Sequence, residues 1–315
     1  MEEPIGGTCS LKIQKAADIQ LSWEGKRSMP VLTWEVPGEA RRWFLLALSF
    51  GGLFLLVSLL YALGVLTLPT LLIERWLVGR PLTQLDCVLV EWRNFGAPSI
   101  TLTLFAGVGL LGVLTRRYRW PMLPCLLLLI LSSAFIETVG KQLIGIPLPL
   151  SLQTAMVSLS CPERVHGLST QLPLFLGMWW QAPLPSPSAS AFAQAVAHQP
   201  ISLTPGTFER VYDYPSGHAI RWCFTGVVLC WLCRRHLRPV ALRRPLAVAL
   251  LVLCYLGAGI HFYIGAHLLA DTLAGDLLGT ALGALAVALF LLNERRQRVV
   301  GSPGSPCVHR GILAP

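Results

Sequence analysis

Charge is what this chain has least of. Only 13% of its 315 residues are charged, against 54% hydrophobic, where a soluble domain carries about 25% charged residues. Mean hydropathy is +0.60. Together these values exclude an ordinary soluble enzyme and read as an integral membrane protein. No polar block is long enough for a second globular domain, and no internal repeat is visible. No apolar h-region opens the chain, so no cleavable signal peptide is expected. An Asn-x-Ser/Thr sequon is missing too, which leaves glycosylation silent about the compartment. Acidic residues number 16 against 25 Lys and Arg, a net charge of +9. The arginines stand beside apolar segments rather than along one periodic face, so they read as topology signals and not as a nucleic-acid surface. The nine cysteines are scattered. Cys223, Cys230, Cys233 and Cys254 fall in apolar runs and read as small core residues.

What is abundant is apolar runs of spanning length. A bilayer core of about 30 Å needs about 20 helical residues. Runs suited to crossing lie at Trp43–Leu68, Ser99–Thr115, Pro121–Gly145, Ala219–Cys233, Pro245–Ile264 and Leu268–Leu292. The fold class is therefore all-α, a six-crossing transmembrane helical bundle. Residues 1–42 form a cytoplasmic N-terminal segment, 43–292 the membrane domain and 293–315 a flexible cytoplasmic tail rich in Gly, Pro and Ser. Segments 1–42, 116–120, 234–244 and 293–315 hold 18 of the 25 lysines and arginines, and the positive-inside rule puts them in the cytoplasm. The long loop 146–213, Lys141, the start of the fourth crossing and the fifth-to-sixth turn then share the outer side. In that loop Leu150–Leu159 suits a short interfacial helix and Trp179-Trp180 a headgroup anchor; the loop either caps the site or is partly disordered. Cys87 and Cys161 also fall outside, where they can form a disulfide.

Two histidines give this outer rim its chemistry. His267 precedes Asp271 by four residues, so at the start of a helix the carboxylate can accept a hydrogen bond from one ring nitrogen and leave the other as a nucleophile. The plainer alternative is that Asp271 caps the sixth helix and His267 packs beneath it. His218 follows Pro215-Ser216-Gly217 where the fourth crossing begins. Unpaired N–H groups there bind anions, Ser216 adds a hydroxyl, Gly217 lets a ligand approach the backbone, and His218 is placed to protonate a leaving oxygen. Lys141, with Glu137 four residues earlier, is an ionisable group at the membrane boundary. It reads either as a phosphate contact or as a snorkelling side chain. Asp276, deeper in the sixth crossing, has no assigned role.

These residues resemble the type 2 phosphatidic acid phosphatase superfamily, six-crossing lipid phosphate phosphatases. Their signature reads Lys, six residues, Arg-Pro; Pro-Ser-Gly-His; and Ser-Arg, five residues, His, three residues, Asp. Here Lys141 is followed at that distance by Leu148-Pro149, Pro215-Ser216-Gly217-His218 is intact, and Ile260-His261 precedes His267 and Asp271 at the right spacing. Both motif arginines are thus replaced, by Leu148 and His261. The resemblance implies His267 as a nucleophile forming a phosphohistidine, Asp271 as its orienting partner and His218 as general acid. It also implies Ser216, Gly217 and Lys141 on the phosphate oxygens, with no metal or other cofactor. Arg221, three residues after His218, is the best substitute cation, Arg210 and Arg164 are weaker ones, and His261 can add charge when protonated.

The sequence therefore points to a multi-pass membrane phosphatase, or a phosphotransferase, acting on a lipid phosphate or diphosphate at the extracytoplasmic face. No nucleic-acid partner is expected. The competing reading is a degenerate, non-catalytic member that binds lipid headgroups or serves as a scaffold. A solute transporter would need ionisable groups near mid-membrane, for which Asp276 is the only hint.

Overall fold

The computed structural model describes residues 38–81, 83–92, 122–158, 187–237 and 239–300, together with five helical residues between 101 and 107. Its elements are α1 (Gly38–Ala62), α2 (Thr67–Val78), α3 (Gln84–Trp92), α4 (Met122–Leu143), β1 (Ile146–Pro149), α5 (Leu150–Ser158), α6 (Pro187–Ala197), β2 (Phe208–Val211), α7 (Gly217–His236), α8 (Val240–Tyr263) and α9 (Leu269–Val300). Of the expected second crossing, Ser99–Thr115, only Thr101, Thr103, Leu104, Ala106 and Gly107 are described, all helical. The terminal segments 1–37 and 301–315, and Cys161, Arg164 and Trp179-Trp180, lie outside the described residues.

Among the described residues four helices are long and apolar enough to cross a membrane: α1, α4 from Pro124, α8, and α9 as far as Glu294. The chain is a mostly helical membrane protein. The first crossing begins earlier than expected and ends at Ala62, where Gly64 turns the chain with φ 76° before α2. Leucines on α1, α4 and α8 face outward; with no protein partner among the described residues, such a surface suits lipid tails. Helix α9 is different, with 72% of its spanning window buried inside the protein. Both α1 and α7 pack along it, and α8 packs on α7.

Glycine sets how closely these helices approach. Gly275, Gly279 and Gly283 recur every fourth residue on the α9 face turned to α7. A Cβ at Gly275 would lie 2.6 Å from the Ser216 carbonyl and 2.7 Å from Ala219 Cβ, one at Gly279 would strike the Ile220 carbonyl, and one at Gly283 would lie 2.8 Å from Val227 Cβ. Small residues at such spacing let helix backbones meet. Gly226 does the same for Cys254 of α8, and Gly257 for Trp222 of α7. Helix α7 is thus enclosed by protein on two sides. It is not among the four apolar spans because it does not need an apolar surface all round: Arg221 and Thr225 are buried in it. It also carries Cys230 and Cys233 in a Cys-x-x-Cys spacing, and both are free thiols.

The loop 146–213 is folded where it is described. β1 and β2 pair antiparallel, Ile146 with Val211 and Leu148 with Glu209. The helix expected at 150–159 is present as α5. Residues of α2, β1, α5 and α6 form one apolar cluster that also takes in Tyr61, Tyr214, Leu268, Ala270 and Ala274. That cluster sits against the start of α9.

Two carboxylates finish the amino end of α9. Asp271, at its third residue, reaches back to the Leu268 N–H through Oδ2 at 3.2 Å, half of a capping box. Glu74 of α2, fully buried, accepts from the Leu269 N–H at 3.0 Å. Burial pushes the Glu74 carboxyl up to about 8, with the neighbouring Asp271 adding to the rise and the Leu269 N–H opposing it.

Two outcomes follow. Because a branched side chain at Gly279 must displace backbone, Gly279→Val should lower stability by at least about 1–3 kcal/mol, read as a drop in Tm in detergent. Gly52→Val, with open space around it, should leave Tm nearly unchanged; equal behaviour of the two would refute close α7–α9 packing. A buried Glu74 that holds its proton to about pH 8 binds more protons folded than unfolded between about 4.5 and 8, so stability falls as pH rises through that window. In Glu74→Gln, which keeps the acceptor for Leu269, that part of the pH slope of Tm should vanish.

Candidate functional site

The Pro-Ser-Gly-His turn starts α7, and Ser216 is its N-cap, accepting from the Ala219 N–H at 3.4 Å. Its own N–H donates to the Asp271 carbonyl at 3.0 Å. That bond fixes the start of α7 to the first turn of α9. Gly140 of α4 admits the Tyr214-Pro215 segment, since a Cβ there would lie 2.6 Å from Pro215 Cδ. Lys141, next in α4, is brought to the same end of the bundle.

His261 and His267 are joined by a helix-ending turn. The N–H of Gly265 donates to the Phe262 carbonyl, and that of Ala266 to the His261 carbonyl. This is the Schellman pattern, which needs a left-handed residue after the helix; Gly265 supplies it with φ 72°. The His267 N–H also donates to the His261 carbonyl, at 3.1 Å. The five residues between the histidines therefore fold back, and both rings face His218. The His218 and His261 rings stack with centroids 4.1 Å apart. His267 lies 6.4 Å from His218 and 5.9 Å from His261.

Beside the rings sits a compact charge cluster. Glu137 Oε1 accepts from Lys141 Nζ at 2.9 Å, and Oε2 from Arg221 Nη1 at 3.0 Å. A Cβ on Gly217 would collide with this carboxylate, so it rests against the first turn of α7. Arg221 is buried and Lys141 is part-exposed. Burial lowers His218 to about 4, with the Arg221 guanidinium and His267 adding to the fall. His267 is lowered to about 4 as well, by burial first and then by His261 and Lys141.

The hydrogen bond expected between His267 and Asp271 is not formed. The helix starts at Leu269, so His267 stands in the turn before it, off the helical face. Asp271 is spent on the cap and on Tyr61, whose hydroxyl donates to Oδ1 at 2.7 Å. His267 Nδ1 is buried without a hydrogen-bond partner among the described residues. Tyr61 stacks on Tyr214, whose hydroxyl shares a 2.7 Å hydrogen bond with Ser58, so α1 braces the site from behind. Burial pushes the Tyr214 hydroxyl up to about 12.

Of the remaining candidates, Leu148 is buried in the apolar cluster and Arg210 is exposed on β2. Asp276 accepts from the Cys223 thiol at 3.2 Å inside the bundle. Cys87 is disulfide-bonded; its partner lies outside the described residues. Sequence reasoning missed Glu74 and Tyr61, and treated Glu137 as Lys141's companion alone. The Glu137–Arg221 link joins residues 84 positions apart, which no local spacing announces.

Comparison with the curated proteins gave no match, nor did comparison with solved structures. A family model, described as the PAP2 superfamily, matches residues 122–295, from the start of α4 through the spanning part of α9. That region holds Lys141, the Pro-Ser-Gly-His turn, all three clustered histidines and Asp271. The chain therefore belongs to the PAP2 superfamily, a superfamily of phosphatases.

Proposed function

We propose that this protein is a membrane phosphatase that hydrolyses a lipid phosphate or diphosphate at the extracytoplasmic face through a phosphohistidine. The observation that carries the reading is the meeting of His218 and His267, 6.4 Å apart, beside Lys141 and Arg221. A phosphoryl group placed between the rings is within reach of an attacking nitrogen on one side and an acid on the other. His267, through the ring nitrogen not buried in the turn, forms the N–P bond as the bond from phosphorus to the leaving oxygen breaks. His218 gives that oxygen its proton. Water then attacks the phosphohistidine, His218 takes the water's proton, and inorganic phosphate leaves with His267 restored. Both imidazoles hold little charge at neutral pH, as their depressed pKa values imply. An arriving phosphate reverses the balance on His218, because an adjacent anion favours the protonated ring.

The seat for the phosphate oxygens is the ground that Glu137 now holds, between Lys141, Arg221 and the amino end of α7. Arg221 takes over from the missing motif arginines, and Ser216 and Gly217 line the backbone side. A six-crossing topology with both termini cytoplasmic supports an extracytoplasmic site. The histidines stand at the start of α7, the end of α8 and the turn before α9, while the arginine-rich 234–244 segment is at the opposite end of α7. The Cys87 disulfide agrees with an oxidising outer side. Acceptance of the phosphoryl group by a lipid alcohol instead of water would make the protein a phosphotransferase. A non-catalytic headgroup-binding scaffold is favoured by one observation: Leu148, at the first arginine position, is buried in apolar packing.

Phosphate release from a panel of lipid phosphates and diphosphates by purified protein decides between these. His267→Ala should abolish turnover and the acid-labile phosphoenzyme seen on rapid alkaline quench. His218→Ala should cost about 10²–10⁴ in rate. Arg221→Ala should lower kcat/KM about 10–100-fold, the worth of one charge-assisted hydrogen bond. A folded wild type that releases phosphate from no substrate would establish the scaffold reading. Removing the competing carboxylate in Glu137→Gln should tighten inhibition by inorganic phosphate several-fold; weaker inhibition would mean that Glu137 organises the seat and does not occupy it.

A further inference from the structure

Two histidines suffice for the proposed reaction, yet three meet here. His218, His261 and His267 each offer a ring nitrogen, and the three nitrogens lie within 4.8 Å of one another. They come from three places in the chain, held by separate devices: the N-cap at Ser216, the last turn of α8 and the Gly265 turn. His261 is nearly fully buried and His267 Nδ1 is buried with no hydrogen-bond partner among the described residues. An orphaned polar atom in a protein interior calls for an explanation.

We propose that His218, His261 and His267 form a three-histidine site for a divalent transition-metal ion of the zinc class, bound where the substrate phosphate would sit. Zinc–nitrogen bonds of about 2.0–2.1 Å at tetrahedral angles put ligand nitrogens about 3.3 Å apart. The rings therefore have to close by about 1 Å each, which rotation about their side-chain bonds supplies. Three protein ligands leave the fourth position open to water or an anion. Imidazole donors suit Zn²⁺, Co²⁺, Ni²⁺ and Cu²⁺, whereas Mg²⁺ and Ca²⁺ want oxygen. The charges facing the cluster are Lys141 and Arg221 against Glu137. That balance weakens cation binding relative to a carboxylate-lined site, so the ion is exchangeable.

The third ligand stands where the superfamily motif has arginine, so the substitution that removes a phosphate contact creates the metal site. Bound metal holds the rings of His267 and His218, the nucleophile and the acid of the proposed reaction, away from a phosphoryl group and therefore inhibits it. That consequence rests on the phosphatase reading; metal binding itself does not.

The test uses the full chain in detergent, with any affinity tag removed and metals stripped by a chelator, and Co²⁺ as the probe. The wild type should take up one equivalent with the visible d–d absorption of an imidazole-bound ion, displaced by Zn²⁺ and indifferent to Mg²⁺. His261→Arg should lose this spectrum and weaken uptake at least tenfold, and His261→Asn, a smaller neutral change, should do the same. His198→Ala, at an exposed histidine after α6, should keep it. Circular dichroism and a monodisperse elution profile confirm that each variant is folded. Where turnover is seen, Zn²⁺ should inhibit the wild type in competition with phosphate and spare His261→Arg. No cobalt uptake by the wild type, or undiminished uptake by folded His261→Arg and His261→Asn, overturns the site whatever the activity. Cobalt uptake in a protein that turns over no phosphate supports the site and sinks the phosphatase reading instead.

Discussion

Everything at this site depends on α7 and α9 touching backbone to backbone. Gly275 faces the Ser216 carbonyl and Ala219, and Gly279 faces the Ile220 carbonyl. Only at that separation can the Ser216 N–H reach the Asp271 carbonyl at 3.0 Å, which ties the start of one helix to the start of the other. His218 and His267 inherit their spacing from this bond. A side chain at either glycine would push the helices apart by more than a hydrogen bond can stretch, and the two rings would separate with them. The α7–α9 packing and the histidine cluster are in this sense one piece.

The charges at the rim obey a second constraint. Burying Arg221 without a partner would be costly, and a carboxylate within hydrogen-bond distance removes most of that cost. Glu137 serves Arg221 and Lys141 together, so the two cations hold each other's counter-ion in place. A phosphate brings more negative charge and more acceptor oxygens than a carboxylate does, so it competes for the same donors on favourable terms. The two cations are thereby held together by a carboxylate of the protein itself. The histidines beside it stay neutral because the neighbouring cations and burial both oppose protonation.

How much of this was legible in the chain depends on the range over which each interaction acts. The apolar runs of α1, α4 and α8 announced themselves because their outer faces are leucine, and that of α9 because most of it is buried among other helices. Helix α7 was read from the short apolar run Ala219–Cys233 and oriented by the arginines that follow it, although protein packs on two sides of it. The motif spacings brought His218, His261, His267, Lys141 and Asp271 to attention, and the fold gathers them at one end. Asp271 was read as the partner of His267, with capping as the plainer alternative; the cap is what forms, since the helix begins two residues after His267 and Tyr61 claims the other oxygen. Glu74 bonds to Leu269 across 195 positions, and a single sequence carries no trace of such a meeting. The glycines of α9 did carry a trace, at every fourth position, but their meaning appears only once α7 is known to be the neighbour. The strand pairing of β1 and β2 was illegible for another reason: β1 holds prolines at 147 and 149, which argue against a strand except at a sheet edge, and in a two-stranded sheet both strands are edges.

Positions 148 and 261 differ in what surrounds them. Leu148 packs with Ile146, Leu152 and Tyr214 in an apolar cluster, and a guanidinium there would need either a partner or a path to the site. Leu148 instead gives β1 and α5 a shared apolar core against the start of α9. Position 261 is different in kind. Its backbone carbonyl anchors the Gly265 turn whatever the side chain, so histidine can stand there without disturbing the fold. An arginine would hold its charge permanently, whereas an imidazole responds to what occupies the space before it. Phosphate draws a proton onto such a ring and a metal ion excludes one. Histidine at 261 is thus compatible with the Gly265 turn, and on the proposed reading its charge would follow the ligand.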